Sequence, residues 1–161
     1  MNVARLEIRR LTLSDLDEIE RIEQESYPTP WSRSMFAGEL AKPSSMSLGA
    51  YDPEHGDTLA GYLIISRYVD AWHIMNIAVS HAYRRHGIAL SLLDELFART
   101  ETDARRGYTL EVRVSNTSAI ALYERAGFYS TGVRRGYYTD NREDALIMWR
   151  DPVPVSSVGT P

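Results

Sequence analysis

Arg84-Arg85-His86-Gly87-Ile88-Ala89 is the stretch on which the reading of this chain turns. Residues 72–79 before it read as a strand. After it, Ala89, Leu92, Leu93, Leu96 and Phe97 follow i, i+3, i+4, i+7, i+8, the spacing of an amphipathic helix. A helix that starts here offers backbone N–H groups with no partner inside it. They lie at the positive end of the helix dipole, where anions are held. Gly87 lets backbone approach a phosphate with no Cβ in the way, and Ala89 is nearly as small. Arg84 and Arg85 add charge for phosphates that stay partly exposed. The same six residues are equally readable as a basic surface turn whose glycine serves only the turn. Neither the Gly-Lys-Ser/Thr of a P-loop nor a Gly-x-Gly-x-x-Gly fingerprint is matched, so an anion held here is not a magnesium-bound nucleoside triphosphate.

Toward the N-terminus, residues 4–9 alternate as a half-buried strand. Thr12 or Ser14 can cap a helix whose apolar stripe is Leu16, Ile19 and Ile22. It must stop near Tyr27, because Pro28 and Pro30 remove donors. Ser32 can cap a short second helix with Met35, Phe36 and Leu40 on one face, closed by Pro43. Residues 47–51 and 59–67 read as strands joined by the turn formers of 52–57. Toward the C-terminus, Gly107 precedes an alternating strand at 109–114. Asn116 then caps a helix that Gly127 ends, and strands are expected near 129–134 and 144–149. The order is β-α-α-β-β-β-α-β-α-β-β, a mixed α/β sheet in one domain over residues 1–150. Residues 151–161 show no pattern and are expected to be a disordered tail.

Composition narrows the chemistry. The chain has 161 residues, about one domain. Its 18 basic and 22 acidic residues give −4, which disfavours a nucleic-acid module. Cysteine is absent, removing disulfides, thiolate metal sites and thiol nucleophiles. His55, His73, His81 and His86 show no ligand spacing, so no metal is expected. No apolar run reaches the ~18–20 residues of a membrane span, and no apolar segment follows Met1-Asn2-Val3-Ala4-Arg5 as in a secretory leader. A cytoplasmic protein with no membrane partner is expected.

The 84–89 turn resembles the Arg/Gln-x-x-Gly-x-Gly/Ala motif of the GCN5-related N-acetyltransferases, the GNAT superfamily, with Ala89 where glycine is commoner. The element order fits that family as well. Five further segments strengthen the resemblance: Pro30-Trp31-Ser32; Asn76-Ile77-Ala78-Val79; Leu110-Glu111-Val112-Arg113; Ser115-Asn116 through Ala121-Leu122-Tyr123-Glu124; and Arg134-Arg135-Gly136-Tyr137-Tyr138 before Arg142-Glu143-Asp144-Ala145. Together they span residues 22–148 and are most similar to the bacterial branch that acetylates the N-terminal alanine of a small-subunit ribosomal protein. The resemblance implies a single acyl-CoA N-acyltransferase domain using acetyl-CoA, with its pyrophosphate on Arg84, Arg85, His86, Gly87, Ile88, Ala89 and Leu90. It implies that the backbone of Ile77, Ala78 and Val79 pairs with the pantetheine arm. A backbone N–H near Val79 would then polarise the thioester carbonyl. The partner it implies is the N-terminal segment of a ribosomal protein.

Acetyl transfer to an amine needs a proton acceptor, an oxyanion donor and a proton for the departing thiolate, and direct attack needs no enzyme nucleophile. On alternation, Glu111 shares a face with Thr109 and Arg113, as a solvated glutamate would. The resemblance makes it the proton acceptor. A free glutamate titrates near 4.3 and an α-amine near 7.7–8.0, so it would act through burial, a water relay, or both. Tyr123 and Asn116, seven residues apart, share a helix face with Ile120. By residue type Tyr123 reads as a core tyrosine and Asn116 as an ordinary cap. The resemblance makes them proton donor and cofactor ligand. Tyr27, Trp31, Tyr137 and Tyr138 are candidate walls for a peptide N-terminus, with Glu25 supplying charge. A broader protein or small-amine acetyltransferase, and an acyl-CoA-binding module without turnover, remain alternatives.

Overall fold

The fold is known from a computed structural model that describes residues 5–152. The predicted tail from 153 onward lies outside the described residues.

The N-terminal strand is short, β1 (Glu7–Arg10). Thr12 and Asp15 form the expected capping box, but it opens a single 3-10 turn that runs into α1 (Leu16–Ser26). Leu16, Ile19 and Ile22 are buried as the stripe predicts. Ser32 caps α2 (Arg33–Leu40) by accepting from the Met35 N–H at 3.3 Å. β2 (Leu48–Asp52), β3 (Thr58–Tyr68) and β4 (Ala71–Val79) follow, and then α3 (Ile88–Thr100). β5 (Tyr108–Arg113), α4 (Thr117–Arg125), β6 (Tyr129–Arg134) and β7 (Ala145–Arg150) complete the elements among the described residues.

The seven strands form one sheet in the order β1-β2-β3-β4-β5-β7-β6. All neighbours are antiparallel except β4 and β5, which α3 joins as the long crossover that a parallel pair requires. Helices cover both faces. α1 and α2 pack through Ile19, Ile22 and Phe36 on Tyr62 and Ile64 of β3. α3 and α4 pack on the other face, burying Leu92, Leu93, Leu96 and Tyr123 against Leu63, Ile74 and Leu110.

One irregularity creates the site. Opposite β3, Ile64 faces Asn76 and Ile65 faces Ile74, so Met75 is an extra, unpaired residue. Such a bulge bends its strand. β4 pairs with β5 only through Trp72, His73 and Ile74 against Tyr108, Thr109 and Leu110. Beyond that point the two strands part, while Glu111, Val112 and Arg113 stay paired to β7.

Candidate active site

A cleft of about 690 Å³ fills the split between β4 and β5. A smaller cavity of about 270 Å³ lies at the start of α3. Val79, Arg84, Ala89 and Leu122 line both, so the two adjoin.

The small cavity is built by the 84–89 turn. Arg85 (φ 68°) and Gly87 (φ 72°) are both left-handed, which swings the chain into α3. Gly87 is the N-cap and has no side chain to satisfy the first turn. The Ser91 N–H bonds back to the Gly87 carbonyl, so the amides of 88, 89 and 90 precede the helical ladder. A Cβ on Gly87 would meet no protein atom within 4 Å. The glycine therefore secures the turn and the open space before the helix. Ile88 is 4% exposed and offers only its backbone. Arg84 is spent on the protein itself: Nε donates to the Val79 carbonyl at 3.1 Å and Nη2 to Ser26 Oγ at 3.2 Å. Arg85 lines the small cavity with Leu90 and makes no ion pair among the described residues. His86 is exposed and lines neither space. Arg125 of α4 also lines the small cavity, a cation that nothing in the sequence pattern singled out.

Glu111 and Tyr123 face the large cleft from opposite elements, β5 and α4. Alternation sends Leu110 and Val112 into the core below α3 and leaves Glu111 on the other face. There its side chain is 15% exposed, with Oε1 3.8 Å from Arg134 Nη2. Its Oε2 is buried without a hydrogen-bond partner. The carboxylate thus keeps unused acceptor capacity in the cleft wall. Tyr123 is 6% exposed, and burial, aided by Tyr27 and Tyr138, pushes its phenol well above the usual value. It keeps its proton at working pH. Ile77, Ala78 and Val79, on the stretch of β4 not paired to β5, line the cleft facing this pair. Asn116 lines it too, but its Oδ1 accepts from the Ala119 N–H and Ser118 Oγ at 3.3 and 3.2 Å. Only its Nδ2 remains to meet a ligand.

The acceptor end is made by two loops. Tyr27 and Trp31 reach the cleft from the α1–α2 loop, and Tyr138 from the β6–β7 loop. Burial and the Glu23 carboxylate push Tyr27 up to about 12, and its hydroxyl donates to the Ile77 carbonyl. Arg113 holds the other loop: it bonds Asp140 at 2.9 Å and Asn141 at 3.1 Å and lies 4.0 Å over the Tyr138 ring. Thr29 Oγ1 reaches Asp140 at 3.2 Å, so the two loops meet. Tyr137 is 44% exposed and stacks edge-on against Tyr138 without lining the cleft.

Glu25 does not join this set. Its Oε1 accepts from the His81 N–H at 2.7 Å, anchoring the turn before Arg84. The acid that lines the cleft is Glu23. It was legible in principle, because it stands four residues after Ile19 on the buried stripe of α1. No group of three or more His, Asp or Glu able to hold a metal occurs among the described residues. No described helix is long and apolar enough to cross a membrane.

The element order and the turn that opens α3 are those the sequence resemblance implied; the split between β4 and β5 is what the structure adds. The sequence profile of the Acetyltransferase (GNAT) family matches residues 16–128. The chain belongs to this family and is an acetyl-CoA-dependent N-acetyltransferase. It is 38% identical over 143 residues to the [ribosomal protein bS18]-alanine N-acetyltransferase of Escherichia coli K12, covering 88% of this chain and 94% of that one. It is 37% identical over 152 residues to the N-alpha-acetyltransferase RimI of Mycobacterium tuberculosis, covering 89% and 91%. The crystal structure of the ribosomal-protein-S18-alanine N-acetyltransferase from Escherichia coli superposes with a TM-score of 0.84 at 33% identity, covering 97% and 99%.

Proposed function

We propose that this chain transfers acetyl from acetyl-CoA to the α-amine of an N-terminal alanine, its acceptor being the N-terminal segment of ribosomal protein bS18. The single observation that carries the chemistry is that the Glu111 side chain and the protonated Tyr123 phenol line the same cleft. The likeness to bS18-alanine acetyltransferases over nearly nine-tenths of the chain supports the acceptor. In this reading the amides at 88–90, with Arg85 and Arg125, hold the diphosphate. The unpaired edge of β4 aligns the pantetheine arm. Glu111 takes a proton from the acceptor ammonium, directly or through one water. The freed amine attacks the thioester carbonyl while a backbone N–H near Val79 steadies the oxyanion. Tyr123 gives its proton to the departing thiolate, and the second proton of the attacking nitrogen leaves as the amide forms and restores the phenol. No enzyme nucleophile is needed, in keeping with a chain that has no cysteine.

Incubation with acetyl-CoA and peptides that differ only in residue one, followed by thiol release, tests this reading. Turnover that favours an alanine-first bS18 peptide supports it. Turnover only on small amines would move the acceptor class, and CoA binding with no turnover on any amine would remove the catalytic assignment.

A further inference from the structure

Glu23 is a buried acid that the transfer chemistry does not use. It projects from α1, is 1% exposed, and lines the acceptor end of the cleft. Three donors from three elements converge on it. The Tyr62 hydroxyl of β3 and Asn76 Nδ2 of β4, the latter at 2.9 Å, donate to Oε1. The Trp31 N–H, in the α1–α2 loop, donates to Oε2 at 2.9 Å. No arginine, lysine or histidine pairs with it among the described residues. Asn76 is the residue next to the bulged Met75, where β4 leaves β5.

We propose that Glu23 is a positioning residue for the acceptor: it ties the Trp31 loop to the bulge of β4 and so fixes the spacing of the cleft where the peptide N-terminus enters. A buried, cation-free carboxylate is a costly way to fill space, and an apolar side chain would fill it better. What only a carboxylate supplies is enough lone pairs for three donors on two oxygens. A glutamine presents one oxygen and an NH₂, so at least one of the three donors must lose its partner. The proposal rests on the peptide-acetyltransferase reading for its kinetic part, and its structural part stands apart from that reading.

The test is a set of variants measured in the full chain. Glu23→Gln is expected to raise KM for the alanine-first peptide about tenfold while KM for acetyl-CoA stays within about twofold, the split expected when an acceptor contact is misplaced and the cofactor site is not. Amide exchange at Trp31 should quicken by about tenfold in the same variant. Glu23→Gln combined with Asn76→Asp restores a donor–acceptor match, because the new amide can donate to the new carboxylate, and should recover both readouts. Should Glu23→Gln fail to fold, Tyr62→Phe, which deletes one donor and keeps the acid, should give the same split in smaller measure. Equal loss on both substrates, unchanged Trp31 exchange, or a double variant no better than the single would overturn the proposal. A wild-type chain that acetylates no peptide would overturn the catalytic reading instead, and the Trp31 exchange series would still decide the positioning claim.

Discussion

Glu111 and Tyr123 reach the cleft by different local rules. Glu111 does so because a strand alternates its side chains, so the residues on either side of it enter the core. Tyr123 does so because it lies two turns from the cap residue Asn116 and is drawn inward by Phe128, 5.7 Å away edge to face. Glu111→Gln and Tyr123→Phe are each expected to lower kcat by ~10²–10⁴, the usual reach of acid–base catalysis, with peptide KM little changed. Steady-state kinetics with both substrates saturating checks this. The pH profile follows from the same burial. A phenol whose folded value is raised stays protonated beyond the ordinary tyrosine value of about 10, so Tyr123 contributes no fall in kcat below about pH 10. An alkaline limb near pH 8–9 that vanishes in Tyr123→Phe would contradict its assignment. Both were singled out by the family resemblance alone, since alternation reads Glu111 as solvated and residue type reads Tyr123 as core. Glu25 was misplaced and Glu23 overlooked, because residue type alone cannot tell which glutamate of Ile22-Glu23-Gln24-Glu25 turns inward; the helical phase from Leu16 and Ile19 does.

The turn and the bulged strand set the geometry between those residues. Gly87→Ala puts a side chain on a left-handed residue and is expected to destabilise the fold by about 1 kcal/mol. The added Cβ meets no protein atom, so any larger effect on CoA reports the ligand's approach. Calorimetry should show affinity weakened about tenfold, or about 1.4 kcal/mol. The β6–β7 loop carries a pH dependence of its own. The Arg113 hydrogen bond holds Asp140 below the usual carboxylate range, and hydrogen bonds from Ser115 do the same for Glu143. Their hold on the loop is therefore complete above the ordinary carboxylate value of about 4 and is lost as pH falls through the lowered folded values. Amide exchange across residues 135–144 should quicken in that acid window, and Arg113→Ala should remove the part of the dependence that Asp140 carries while leaving the part that Ser115 gives Glu143. The helix start at 88 was readable from Gly87 and the apolar spacing after it. The bulge at Met75 was not, since an unpaired residue in a strand leaves no mark in the apolar pattern.

Across the chain, element order and type followed from periodicity and punctuation, because each helix stripe and each alternating strand buries one face. Boundaries moved by a few residues, as at β1, which begins at Glu7 rather than residue 4. Spatial order was hidden. Insertion of β7 between β5 and β6, and the single parallel pair, are long-range choices made by the two helical layers rather than by any local signal. That arrangement lets a helix start, a split strand pair and two loops form one continuous groove. A crystal structure of the chain grown with acetyl-CoA shows whether the groove is used as argued. The diphosphate should lie against the amides at 88–90 and the thioester between β4 and β5, next to Val79 and within reach of Tyr123. A cofactor bound elsewhere, or that turn left empty beside an occupied cleft, would contradict the assignment.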